Sequence, residues 1–164
     1  MLHGFTDSNW MGITVDRKST FGYCFCLGSA MISWSSRKQG SIAQRTTEAQ
    51  YIAASAASRE EVYLRNLLSD LFNSELEPTV IHCDNQSCIK LIENPVFHDR
   101  SKHIEMRYHY VWDMVQKNVL SNQYVPTTEQ TIDIFTKPLP LIKFAYFHDK
   151  LGIAENTSLA EREC

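Results

Sequence analysis

The chain has 164 residues, of which 43% are hydrophobic and 21% charged; this suits one domain with a real core and excludes a disordered or fibrous polypeptide. No apolar run approaches the ~18 residues of a membrane span, so an association with membrane is not expected. A net charge of −3 at pH 7 is unlike a freestanding nucleic-acid binder, which tends to be strongly basic. Contacts to nucleic acid would have to come from local basic patches and be salt-sensitive.

Residues 2–8 form a short apolar run ending in polar residues, the first expected strand. The N-terminus lacks the basic-then-apolar pattern of a secretion signal, and Met1-Leu2-His3 running straight into the strand suits the cut edge of a longer polypeptide. Residues 16–20 are a polar turn. Phe21, Tyr23 and Phe25 then alternate, as in a half-buried strand over 21–27. Gly28-Ser29 turns the chain into a third strand over 30–35, and such short links favour antiparallel pairing. A long helix is expected over 47–72, with Thr46 and Thr47 as hydroxyl caps and an apolar stripe that includes Leu64, Leu67, Leu68 and Leu71. Its alanines would let it lie close to a sheet.

Residues 79–83 read as a compact central strand and 85–94 as a short helix stopped by Pro95. A basic loop over 98–102 leads to a helix over 104–117, then a strand over 119–125 ended by Pro126. A last helical segment begins at 131–136, is broken by Pro138 and Pro140, and resumes over 141–151 with Gly152 as its stop. Three antiparallel strands followed by αβ units predict an α/β fold: a five-stranded mixed sheet, the last two strands parallel, flanked by helices on both faces. Right-handed crossovers are expected. The domain is expected to cover 1–152, with 153–164 as a flexible C-terminal tail.

The five cysteines, Cys24, Cys26, Cys83, Cys88 and Cys164, have no disulfide-framework rhythm. They are expected as buried thiols of an intracellular, cytoplasmic or nuclear, protein that is not secreted. Cys24 and Cys26 share a strand face, yet zinc-ligand spacing and a second ligand pair are missing.

Four acidic residues carry the chemistry. Asp7 and Asp84 end or interrupt apolar strand-like runs, and Glu48 and Asp133 open helix-like runs. Carboxylates so placed point out of the rim of a sheet, where they converge. Converging carboxylates repel unless a cation lies between them, and oxygen sets of this kind suit Mg²⁺.

On these residues the chain resembles the ribonuclease H domain of copia-type retrotransposon Pol polyproteins. The matching stretches are Thr6-Asp-Ser-Asn-Trp, Asp16-Arg-Lys-Ser-Thr-Phe-Gly-Tyr, Ile32-Ser-Trp-Ser-Ser-Arg-Lys-Gln, Thr47-Glu-Ala-Gln-Tyr, Cys83-Asp-Asn-Gln-Ser, Lys102-His-Ile-Glu-Met-Arg-Tyr-His and Asp133-Ile-Phe-Thr-Lys-Pro-Leu. They span roughly residues 3–152, in order. The resemblance implies a ribonuclease H-like fold and cleavage of the RNA strand of an RNA–DNA hybrid. It also implies that Asp7, Glu48, Asp84 and Asp133 hold two Mg²⁺ ions, with Mn²⁺ able to substitute. A reverse transcriptase domain in a longer polyprotein is the implied partner.

There are departures from the family pattern. The loop Val125-Pro-Thr-Thr-Glu-Gln has no histidine; Thr128 stands near that position, with Glu129 as a conjectural substitute. The usual second acid after Glu48 is Gln50, read as a surface change. A decayed remnant that binds nucleic acid without cutting it is the alternative. Candidate hybrid contacts are Arg37, Lys38, Arg45 and Thr47, then Asn85 and Gln86, then Lys102 and Arg107. The basic side chains suit phosphates, and the amides suit a base edge or a ribose 2′ hydroxyl. Against this, Arg37, Lys38 and Arg45 also fit a solvated edge, Thr47, Asn85 and Gln86 fit helix caps, and Lys102 and Arg107 fit an exposed helix. Trp10, Trp34 and Trp112 are expected in the core.

Overall fold

A computed structural model describes residues 1–10, 18–40, 42–43, 45–94 and 102–153, excepting the side chains of 102–108. The expected turn at 16–17, the loop over 98–101 and the tail beyond 153 lie outside the described residues. Five strands, β1 (Leu2–Asn9), β2 (Thr20–Leu27), β3 (Ala30–Lys38), β4 (Thr79–Cys83) and β5 (Leu120–Tyr124), form one sheet in the order β3-β2-β1-β4-β5. The first three pair antiparallel, and β4 runs parallel to both β1 and β5. The mixed sheet expected from the strand and helix order is therefore present.

A short turn joins β2 to β3 in the antiparallel half. Gly28 turns at φ +65°, a conformation that costs glycine little. The parallel half needs long crossovers. Helix α1 (Thr46–Phe72) connects β3 to β4, while α2 (Gln86–Glu93) and α3 (Lys102–Gln116) connect β4 to β5. Two short helices, α4 (Asp133–Thr136) and α5 (Leu141–Lys150), follow.

Strand alternation divides the core into two faces. On one, Leu2, Phe25, Ile81 and Leu120 meet Ala57, Leu64 and Leu68 of α1. Beside them Tyr51 and Ala54 meet Cys83, Ile92 and Val111, which brings α2 and α3 against α1. On the other face Cys24 packs with Ile132 and Leu151, and Phe5, Met31 and Phe135 pack around them. The alanines do bring α1 close: Ala49, Ala53, Ala54 and Ala57 are all buried.

Several expectations change. The N-cap of α1 is Arg45, in an extended conformation with no side-chain cap bond, so Thr46 and Thr47 are helical residues rather than caps. Leu67 and Leu71 are 49% and 70% exposed. A helix of 27 residues is about 40 Å long, against about 26 Å for an eight-residue strand, so its last turns run past the sheet. Trp34 is 59% exposed because β3 is an edge strand, and Trp10 is 37% exposed beyond the end of β1, its Nε1 donating to the Ala43 carbonyl. Neither is a core residue.

Arg65 fixes where β4 begins. Its guanidinium donates to the carbonyls of Leu76 and Glu77 and to the Thr79 hydroxyl. The clamp sets the height of β4, and therefore of the residue that follows it, Asp84.

Candidate metal centre

Asp7 lies on β1, buried, on the face covered by α4. Asp84 follows the last residue of β4, and Asp133 is the first residue of α4. One ligand oxygen from each of the three lies within 4.8 Å of the other two. One glycine makes this approach possible. A Cβ on Gly22 would sit 2.9 Å from the Thr136 methyl and 3.4 Å from Ile132 and Phe135, so only a bare backbone lets α4 lie on β2.

Each carboxylate is held by protein donors. Gln50 Nε2 donates to Asp7 Oδ1 at 2.8 Å, and Thr136 Oγ1 to Asp7 Oδ2 at 2.5 Å. Thr127 Oγ1 donates to Asp84 Oδ2 at 3.0 Å. Lys137 Nζ lies 2.9 Å from Asp133 Oδ1 and 3.5 Å from Asp7 Oδ2. Lys143 Nζ lies 3.3 Å from Asp133 Oδ2 and donates to the Thr127 carbonyl. Charge-assisted bonds of this kind fix rotamers.

The electrostatics match the crowding. Burial pushes the Asp84 carboxyl above its ordinary value, and Asp7 and Asp133 add repulsion that Thr127 and Lys137 only partly offset. Asp133 is likewise raised by burial and by Asp7, with Lys137 and Lys143 opposing. Burial draws Lys137 down, but Asp7, Asp133 and Asp84 together hold it above the usual lysine range. An all-oxygen set that crowds three carboxylates together fits a hard divalent cation such as Mg²⁺ or Mn²⁺.

The other expected residues divide. Glu48 is half-buried in the first turn of α1 and stands outside the three-carboxylate set. Arg37 and Lys38 are exposed at the end of β3. Register places them at the same rim as the carboxylates, since Lys38 pairs with Thr20 and Thr20 with Asn9. Arg45 is exposed and Thr47 half-buried at the start of α1, on that rim. Asn85 is the N-cap of α2, its Oδ1 accepting from the Cys88 amide at 2.8 Å, and Gln86 is exposed beside it. The side chains of Lys102 and Arg107 lie outside the described residues.

Two readings of the neighbourhood are corrected. Gln50 is no surface change: it is 4% exposed and donates to Asp7. Glu129 does not turn to the carboxylates; it is bound by Lys150 and Tyr146 of α5, which hold its carboxyl below the usual range. In the loop after β5, Thr127 donates to Asp84. Thr136, Lys137 and Lys143 were not foreseen in any role, because the proline-broken stretch after 136 carries no periodic signal.

Among the described residues no helix is long and apolar enough to cross a membrane. No family model matches the chain. It is 41% identical over 152 residues to the retrovirus-related Pol polyprotein from transposon RE2 of Arabidopsis thaliana, covering 93% of this chain and 10% of that protein. The Pol polyprotein from transposon TNT 1-94 of Nicotiana tabacum is 38% identical over 156 residues, covering 95% of this chain and 12% of that protein. The chain thus spans about a tenth of the length of the curated relatives it matches. Among solved structures it is similar to LC11-RNase H1 in complex with an RNA/DNA hybrid, with a TM-score of 0.59 and 12% identity over 83% of this chain and 94% of that one. The foamy viral protease-reverse transcriptase in complex with an RNA/DNA hybrid matches with a TM-score of 0.55 and 13% identity over 82% of this chain and 19% of that one. The chain is a homologue of the Pol polyproteins of copia-type transposons, built on the ribonuclease H fold.

Proposed function

We propose that the chain is a divalent-metal-dependent endonuclease that cleaves the RNA strand of RNA–DNA hybrids. The observation that carries the reading is the convergence of Asp7, Asp84 and Asp133 within 4.8 Å on a ribonuclease H fold. In this reading Asp7, Asp84 and Asp133 hold the metal, with Glu48 as a fourth ligand from α1. Bound Mg²⁺, or Mn²⁺ in its place, supplies activation of a water and charge stabilisation at the leaving 3′ oxygen.

The protein's own groups prepare the site. Gln50 and Thr136 grip Asp7 from two sides, and Thr127 orients Asp84. Arg37, Lys38 and Arg45 present cations along the same rim, where they hold backbone phosphates without reading sequence. Thr47, Asn85, Gln86, Lys102 and Arg107 complete the proposed contact surface. Asn85 Oδ1 already serves the α2 cap, so its part is to shape the turn after Asp84.

Residues 1–152 act as one ribonuclease unit in this reading, with a reverse transcriptase elsewhere in a longer polyprotein making the hybrid. The four described cysteines are free thiols, which supports action inside the cell. A second reading, a binding remnant without activity, is favoured by one observation: two ammonium groups sit on the carboxylates. A labelled hybrid incubated with Mg²⁺ or Mn²⁺ separates the two. Cleavage by the parent and none by a folded Asp84→Asn variant supports the nuclease. Cleavage at equal rates by both discards the site assignment, and no cleavage in either metal leaves the remnant.

A further inference from the structure

Lys137 occupies the position of a competitor. Its Nζ is 2.9 Å from Asp133 Oδ1 and 3.5 Å from Asp7 Oδ2, so one ammonium joins two of the three clustered carboxylates. A divalent ion shared by the cluster draws on the same two side chains. Asp7 Oδ1 is already committed to Gln50 and Asp133 Oδ2 to Lys143, which narrows the oxygens over which ion and ammonium compete. Lys137 follows Thr136 directly, and Thr136 is anchored to Asp7; the lysine backbone is therefore held at the site whichever partner its side chain takes.

There is also room for the side chain to leave. A concavity of about 290 Å³ opens beside it, lined by Asn9, Thr20, Phe135, Lys137 and Pro138 among others. The Lys137 side chain is 28% exposed, so withdrawal does not require the core to open.

We propose that Lys137 is a positioning residue that acts as a built-in cation: it holds Asp7 and Asp133 together and is displaced when a divalent ion binds, thereby setting the metal affinity of the site. This rests on the reading of the three carboxylates as a divalent-metal site. Reciprocity follows from linkage: whatever the ammonium contributes to the ion-free protein is subtracted from the ion's affinity.

The test is calorimetric titration of the whole chain with Mn²⁺ alone, using the parent, Lys137→Met, Lys137→Gln and Lys150→Met. Lys150 bonds to Glu129 instead of the cluster, so its variant reports the effect of net charge by itself. Both Lys137 variants are expected to bind Mn²⁺ at least roughly tenfold more tightly than the parent, and Lys150→Met to bind as the parent does. In thermal melts, Lys137→Met should lose stability without metal and gain more from Mn²⁺ than the parent. Equal or weaker Mn²⁺ binding by the Lys137 variants overturns the proposal while leaving the metal site standing, as does equal tightening by Lys150→Met. No Mn²⁺ binding by any of the proteins overturns the proposal and the metal site together.

Discussion

Glu61 makes the deepest test of the structure away from the cluster. It is 0% exposed, in the middle of α1, with Arg65 Nε 3.6 Å from its Oε1. Burial raises its pKa from 4.5 to about 7, although the Thr79 hydroxyl and Arg65 pull the other way. At about 1.4 kcal/mol per pH unit, the charged form costs the fold about 3 kcal/mol. A carboxyl raised in this way favours the folded state fully below its unfolded pKa, and that contribution is lost as pH climbs from about 4.5 to about 7. Glu61→Gln keeps the shape of the protonated acid and removes the ionisation. Urea unfolding should therefore show the variant equal to the parent near pH ~4.5 and more stable by up to ~3 kcal/mol near pH ~8. Arg65 is not left adrift, since it keeps its bonds to Leu76, Glu77 and Thr79. A Glu61→Gln protein less stable than the parent at the alkaline end, or a difference that does not change with pH, refutes the argument.

Other perturbations probe the cluster. Gly22→Ala should cost ~1–3 kcal/mol by overpacking, because its methyl meets Thr136 at 2.9 Å, and it should weaken Mn²⁺ binding by lifting α4; an unchanged urea midpoint would contradict that contact. Gln50→Leu removes the 2.8 Å donor to buried Asp7 and should cost ~1–3 kcal/mol in the ion-free protein, measured by denaturation with chelator present. Burial and mutual repulsion raise Asp84 and Asp133, and an ion needs them ionised. Mn²⁺ affinity should keep rising with pH beyond the ordinary carboxylate range near ~4, while the two acids contribute progressively less to the stability of the ion-free fold. Calorimetry across pH checks this, and a plateau already reached near pH ~4.5 would count against it.

Much of this architecture is legible in the residue order. Asp7, Asp84 and Asp133 each stand at the end or start of an apolar run, and polarity at such a boundary marks a rim. The strand and helix order follows from period and punctuation: Gly28-Ser29 is a turn, and Pro126 and Pro138 stand just beyond the ends of β5 and α4. What could not be read depends on neighbours. Gln50 is one polar residue on a long helix, and its burial follows from which face of α1 meets β1. Trp34 alternates correctly, but its exposure follows from β3 lying at the sheet's edge. Lys137 and Lys143 sit in a segment whose path is dictated by Gly22 and by prolines, so no spacing rule brings them to Asp7 and Asp133.

Thr136 reaches back 129 positions to Asp7, and Asp133 belongs to the same late segment. A nascent polypeptide still short of that segment has its sheet strands but lacks one of the three grouped acids. Long-range closure of this sort is slow to form. The grouping of the three acids thus depends on the late, proline-bounded stretch folding back onto the first strand, and β1 and β4 alone bring only two of them to the rim.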